Sequence, residues 1–273
     1  MKKIGVSTWC TDDYIDFAGL QELKNSFNYF HPDVDHIIFD TDMTNQIVAA
    51  NHWMATNPKD HSHWMMAATG LPLVDDYDMV VHLDGDSVVV GELNELFEST
   101  EDIIGVRNNN SYNKAGCHNG ITIGSIPMQG FLNAGLVAAN NKEFWKEWDL
   151  KNKETAEFSP GRSDENDTLN LIFHSGKYTT KIIDSDDADV FYGIASLWGD
   201  HHHWESWKEL YIKDEEVWLN DPITNQPKRV KVLHQAGGSI AHQLNTKHGG
   251  FRNWLRQAVS TEVAEFIDHI SKR

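Results

Sequence analysis

At 273 residues, with 40% hydrophobic and 23% charged side chains, the chain has the mix of a globular domain able to bury a core without covalent staples, which excludes a disordered or fibrous protein. Its 41 acidic against 23 basic residues leave a net charge of −18, a surface that repels nucleic-acid backbones and anionic lipid. Two cysteines, Cys10 and Cys117, are too few for a disulfide framework and fit reduced thiols in a cytoplasmic protein.

The opening MKKIGVSTWCTDD has only a short apolar run before two aspartates and reads as a first strand, Lys3 to Thr8, rather than a leader. Asp16 to Phe30 places Phe17, Leu20, Leu23 and Phe27 at helical spacing, and His36 to Asp40 is strand-like. Thr44 to Ala55 and His61 to Leu71 read as helices, the second stopped by Leu71-Pro72. Met79 to Leu83 is an apolar strand, and Leu93 to Phe97 a helical turn. Further strands are expected at Ile103 to Val106, Ala134 to Ala139, Thr179 to Ile183 and Val230 to Leu233, with helices at Lys142 to Trp148 and Asp164 to Phe173. From Phe251 to Ile270 one amphipathic stripe predicts a single helix docked on the parent domain. No apolar run reaches membrane-spanning length. The alternation predicts one α/β domain with a mostly parallel mixed sheet flanked by helices, and ligands in such sheets bind beyond the carboxyl ends of the strands.

The stretch Tyr77 to Phe97, YDMVVHLDGDSVVVGELNELF, delivers Asp84-Gly85-Asp86 to the end of an apolar strand. Two carboxylates separated by a glycine can converge on one hard cation, the glycine letting the backbone turn tightly. Asp84-Gly85 between apolar runs also fits the turn of a hairpin. The tryptophans of Trp198 to Trp207 suit either sugar stacking or loop packing, and the consecutive His201, His202 and His203 cannot all face one metal. Arg107 to Lys114 is a polar loop, either a lid or a solvated connection.

Five motifs, taken in their order along the chain, resemble those of the nucleotide-sugar glycosyltransferases of the GT-A fold, family eight among them. Asp84-Gly85-Asp86 resembles the family's DxD, and Thr11-Asp12-Asp13-Tyr14 is similar to its nucleoside-binding DDNY, without the Asn. Phe131-Leu132-Asn133-Ala134-Gly135 resembles FNAG, Glu165-Asn166-Asp167-Thr168-Leu169-Asn170 resembles DQxxLN, and Val232-Leu233-His234-Gln235-Ala236-Gly237 resembles the late HxxG. The resemblance implies a single metal-dependent GT-A domain that moves a hexose from a UDP-sugar to a hydroxyl of a glycan acceptor with retention, without nucleic-acid partners. Residues 1–106 would form its nucleotide-binding half, 107–240 its donor-sugar and acceptor half, and 251–270 a docking helix.

By the same resemblance Asp84, Asp86 and His234 would ligate manganese, or magnesium, the mixed carboxylate and imidazole set favouring manganese. Thr11, Asp12, Asp13, Tyr14, Gly85 and Gly237 would contact the nucleotide. Asn133, Ala134 and Gly135 would line the donor sugar, and Asn166 and Glu165 would sit by the anomeric carbon. Asn166 would present its carbonyl oxygen there, and Glu165 is the competing carboxylate, able to serve as a nucleophile or as a base for inversion. The residues alone leave plainer alternatives: N-caps for Asp12, Asp13 and Glu165, a strand entry for Gly135, and a packed histidine for His234. The chain departs from the family where Ile240 replaces a diphosphate-clamping lysine and where His61 to Gly70 lacks an arginine or lysine. Lys231, Lys247 and Arg107 are candidate substitutes. The rival readings are a carbohydrate- or nucleotide-sugar-binding protein with degenerate catalysis and a sugar-nucleotide pyrophosphorylase. The latter lacks support, since Val6 to Asp13 carries no glycine and no basic residue.

Overall fold

Apolar β-branched runs fill the centre of the structure. This computed structural model describes residues 2–10, 19–50, 65–107, 117–118, 121–122, 130–158, 165–185, 188–195, 207–221, 225–234 and 251–272. In chain order its first half contains β1 (Ile4–Trp9), α1 (Leu20–Phe30), β2 (Asp35–Phe39), α2 (Thr41–Ala50), α3 (Met65–Gly70), β3 (Met79–Leu83), β4 (Ser87–Val89), α4 (Asn94–Phe97) and β5 (Ile103–Arg107). A small pair, β6 (Cys117–His118) and β7 (Ile121–Thr122), follows. The second half contains β8 (Leu132–Ala139), α5 (Lys142–Phe158), α6 (Glu165–Phe173), β9 (Thr180–Ile182), β10 (Val190–Ala195), β11 (Tyr211–Lys213), β12 (Glu216–Asn220), β13 (Pro227–His234), α7 (Phe251–Ala258) and α8 (Thr261–Ile270).

The main sheet has the order β2-β1-β3-β8-β5-β9. Its β1–β2, β1–β3 and β5–β9 pairings are parallel, and β8 alone runs against its neighbours β3 and β5. A mostly parallel sheet flanked by helices is therefore present, as the alternation predicts. All eight residues of β8 are buried, as befits a strand covered on both faces. Its ladder with β5 jumps from Val137 to Asn133 while β5 advances from Gly105 to Val106, so three residues, Ala134 to Leu136, bulge out of register.

A second sheet, which the strand list does not anticipate beyond Val230 to Leu233, has β13 at its heart. β10 pairs with it in parallel, and β12 and β4 pair with it antiparallel. One core layer lies between the sheets and α1, where Leu83, Val89, Tyr192 and Val232 meet Leu23 and Phe27. Helices α3, α5 and α6 close the far face of the main sheet, with Trp145 and Trp148 fully buried.

The last segment is two helices rather than one. Ser260 adopts an extended conformation and accepts a hydrogen bond from the Val263 N–H, which starts α8 afresh. Arg256 of α7 then pairs with Asp268 of α8, its Nε 3.0 Å from Oδ1.

Helix α5 runs ten residues past its expected end at Trp148 and half-buries Asp149, whose Oδ1 has no partner among the described residues. Burial, partly offset by Lys153, pushes this carboxyl up to about 6. A folded-state pKa above the unfolded one means that ionisation opposes folding, fully above about pH 6 and not at all below about 4. Asp149→Asn should therefore raise stability by about 1–2 kcal/mol at pH 7.5 and by nothing measurable at pH 3.5. Urea melts at both pH values test this, and an equal gain at the two would overturn it.

Candidate metal centre

Because β1 and β3 are parallel and β8 opposes them, the carboxyl ends of the first two and the amino end of the third share one edge. There the chain leaves β3 through Asp84-Gly85-Asp86 and enters β4 in the other sheet, where Ser87 pairs with His234. The two strands flanking the motif thus pair with different partners, which rules out the hairpin. Gly85 is not in the left-handed region. Its requirement is proximity, since a Cβ there would stand 3.3 Å from the Trp9 carbonyl oxygen.

One ligand atom from each of Asp84, Asp86 and His234 falls within 4.8 Å of the others. His234 Nε2 lies 3.2 Å from Asp84 Oδ2 and 3.2 Å from Asp86 Oδ1, yet makes an aligned hydrogen bond with neither. A buried ring nitrogen between two carboxylates but in line with neither fits a shared cation. Gly135 leaves the room: a Cβ on it would be 2.2 Å from His234 Cε1 and 2.7 Å from Asp84 Oδ2. Two carboxylates and an imidazole suit manganese, so the residues present fit such an ion.

The charges reinforce one another. Burial alone would lower the His234 imidazolium, but the charge of Asp86, with the close oxygens of Asp84 and Asp86, outweighs it and raises the pKa to about 10. Burial would likewise raise Asp84, yet contacts from His234 and His82 hold it below the usual carboxylate range. Asp86 goes the other way, pushed up by burial that His234 only partly offsets.

The donor-sugar candidates gather beside this cluster. Asn133 Oδ1 accepts from the Gly135 N–H at 2.7 Å, and the Gly135 carbonyl accepts from the Asp84 N–H at 2.8 Å. The β8 bulge thus brings Asn133 to Gly135 against the first carboxylate. Asn166, at the first turn of α6, accepts from the Ala134 N–H at 2.8 Å. The carbonyl oxygen that sequence reading directs to the anomeric carbon is therefore bonded to β8. Glu165 is buried, and its two oxygens accept from the N–H groups of Met66 (3.1 Å) and Ala67 (3.4 Å), capping α3.

No protein-family model matches the chain, and no curated protein sequence matches it. Solved structures do resemble it. The galactosyltransferase LgtC, in complex with donor and acceptor sugar analogues, is 18% identical with a TM-score of 0.49, covering 86% of this chain and 87% of LgtC. Mouse xyloside xylosyltransferase 1 is 11% identical with a TM-score of 0.47, over 87% of this chain and 98% of that one. The glycosyltransferase GlyE of Streptococcus pneumoniae is 18% identical with a TM-score of 0.42, over 66% and 45%. At such identities, function is read from the cluster.

Thr11, Asp12, Asp13, Tyr14 and Gly237 lie outside the described residues, as do Lys247, Ile240 and most of the Arg107 to Lys114 and Trp198 to Trp207 loops. Trp207, the described end of the latter loop, packs in the core under α7 and α8 and is not an exposed stacking face. Lys231 is buried with its Nζ 3.2 Å from Glu216, and Arg107 is buried beside Asp184. Both cations are thus engaged with carboxylates. No described helix is long and apolar enough to cross a membrane.

Sequence reading passed over one residue here, His82. The signal was available: a histidine in an otherwise aliphatic strand, two positions before Asp84 and so on the same face. Its Nε2 is 3.0 Å from Asp84 Oδ1.

The clearance at Gly135 gives a direct test. Gly135→Ala should displace His234 or Asp84 and weaken manganese binding at least about tenfold, the lower end for a disturbed ligand shell. Isothermal titration of manganese reads it, and unchanged affinity would show that the cluster does not need this gap.

Proposed function

We propose that this chain is a GT-A glycosyltransferase that moves a hexose from a UDP-sugar to a hydroxyl of a glycan acceptor, with manganese as cofactor and retention at the anomeric centre. The observation that carries it is the convergence of Asp84, Asp86 and His234 at the sheet's carboxyl edge, beside a gap kept open by Gly135. When bound there, manganese supplies positive charge against the leaving diphosphate. The five ordered motifs support the same reading.

In this reading Asp84, Asp86 and His234 hold the ion, and Thr11 to Tyr14 with Gly85 and Gly237 bind the nucleotide. Asn133, Ala134 and Gly135 line the hexose, with residues 1–106 as the nucleotide half and 107–240 as the sugar half. Asn166 is a neutral amide and a poor nucleophile, which disfavours a covalent intermediate through it. With its oxygen on the Ala134 N–H, its remaining role is to hold β8 against the sugar. Glu165, spent on the Met66 and Ala67 amides, supports no role as an inverting base. The acceptor hydroxyl then attacks the anomeric carbon from the side on which the sugar–phosphate bond breaks, and its proton passes to the departing phosphate oxygen.

The engagement of Lys231 and Arg107 favours a second reading, a nucleotide-sugar-binding module without turnover. A calorimetric screen of nucleotide sugars with and without manganese, followed by proton NMR of the first-formed product, separates the two. Manganese-dependent UDP-sugar binding with a retained anomer is expected. Binding without transfer or donor hydrolysis selects the module, and an inverted anomer removes the proposed chemistry.

A further inference from the structure

We infer that His82 is the positioning residue for the first carboxylate of the centre, holding Asp84 Oδ1 so that Oδ2 alone turns toward His234 and Asp86. The inference rests on the metal reading above and concerns a residue that none of the five motifs contains.

Every position of β3 is buried, and His82 is the one polar side chain among Met79, Val80, Val81 and Leu83. An imidazole in such a strand is costly unless both ring nitrogens find partners. Nε2 lies 3.0 Å from Asp84 Oδ1, and Nδ1 faces the buried Ser7 hydroxyl of β1 at 3.5 Å. A carboxylate can only accept, so Nε2 must carry a proton. Ser7 can donate to Nδ1 or to the Val81 carbonyl, which lies 3.4 Å from its Oγ.

The rest of Asp84 is equally fixed. Its N–H is tied to the Gly135 carbonyl at 2.8 Å, and its second oxygen is the one 3.2 Å from His234 Nε2. With one oxygen spoken for, the carboxylate is set to offer a single donor atom in a fixed direction. Outer hydrogen bonds of this kind orient ligands, and removing one typically costs about 10–100-fold in metal affinity. His82 touches neither His234 nor Asp86 in any contact described, so its influence passes through Asp84.

The test uses the full chain, with manganese titrated calorimetrically into the parent, His82→Leu and His82→Gln. Leucine suits the apolar strand but cannot donate, whereas glutamine restores an N–H near the position of Nε2. His82→Leu is expected to bind manganese about 10–100-fold more weakly, and His82→Gln to recover most of the loss. A simple packing defect would not be rescued by glutamine. Parent affinity in His82→Leu, or equal weakness in both variants, overturns the inference while leaving the metal reading in place. A parent that binds no manganese overturns both. Should neither variant fold, a long-range proton–nitrogen NMR spectrum of the parent decides: a proton on Nε2 of His82 is expected, and an unprotonated Nε2 overturns the assignment.

Discussion

Asp86→Asn should abolish manganese-dependent transfer, with a loss of about 100-fold or more, beyond what an outer partner of a metal contributes. Asp86 is half-buried and faces His234 at 3.2 Å, so it supplies one of only two anionic donors in the cluster. Burial already lifts its pKa, so the ionised form is held against a desolvation cost. An amide of the same shape removes that cost and the charge together. The fold should therefore survive, with a thermal midpoint no lower than the parent's, while manganese affinity collapses. Far-UV circular dichroism, a thermal melt and a manganese titration make the measurement. Full activity in this variant would remove the metal centre from the proposed mechanism.

The second large effect is on pH. Without an ion, His234 holds a proton up to about pH 10, because Asp86 and Asp84 outweigh the burial that opposes it. A metal must displace that proton, since only neutral imidazole ligates. Manganese affinity should then rise about tenfold for each pH unit from 7 to 9, with one proton released per ion. In the metal-free protein the sign for stability is the reverse. A pKa raised on folding contributes stability that is complete below the unfolded value near 6.5 and is lost as pH rises through about 10. Metal-free melts should weaken over that interval, and saturating manganese should offset the loss. Calorimetry in buffers of different ionisation enthalpy counts the proton, and a pH-independent affinity would show that His234 is not a ligand.

The main sheet was legible because its strands are short, apolar and bounded by polar residues, and the delivery of Asp84-Gly85-Asp86 to a strand end follows from that pattern alone. The second sheet was not. Tyr211–Lys213 is a three-residue edge strand with no fully buried position, Glu216–Asn220 beside it buries only alternate positions, and β4 takes its partner from β13 across a long sequence gap. Periodicity cannot report such pairing. Nor can it see that Ser260 interrupts the final amphipathic stripe, because the stripe continues across the break. At the centre itself the three ligand candidates are neighbours in space, as the motif order implied. The outer bonds were hidden: Glu165 reads as an acidic helix start, and only the fold reveals that the helix it caps is α3.

Asp84 closes a strand of the six-stranded sheet, His234 closes a strand of the five-stranded sheet, and Asp86 lies in the short step between them. The centre is therefore a clasp across a joint. Whatever draws the three groups together also draws the two layers together, and any slippage between the layers pulls the donor atoms apart. Leu83, Val89, Tyr192 and Val232 pack together in that seam. In the proposed reading, ion affinity becomes a gauge of how tightly the two sheets are packed together.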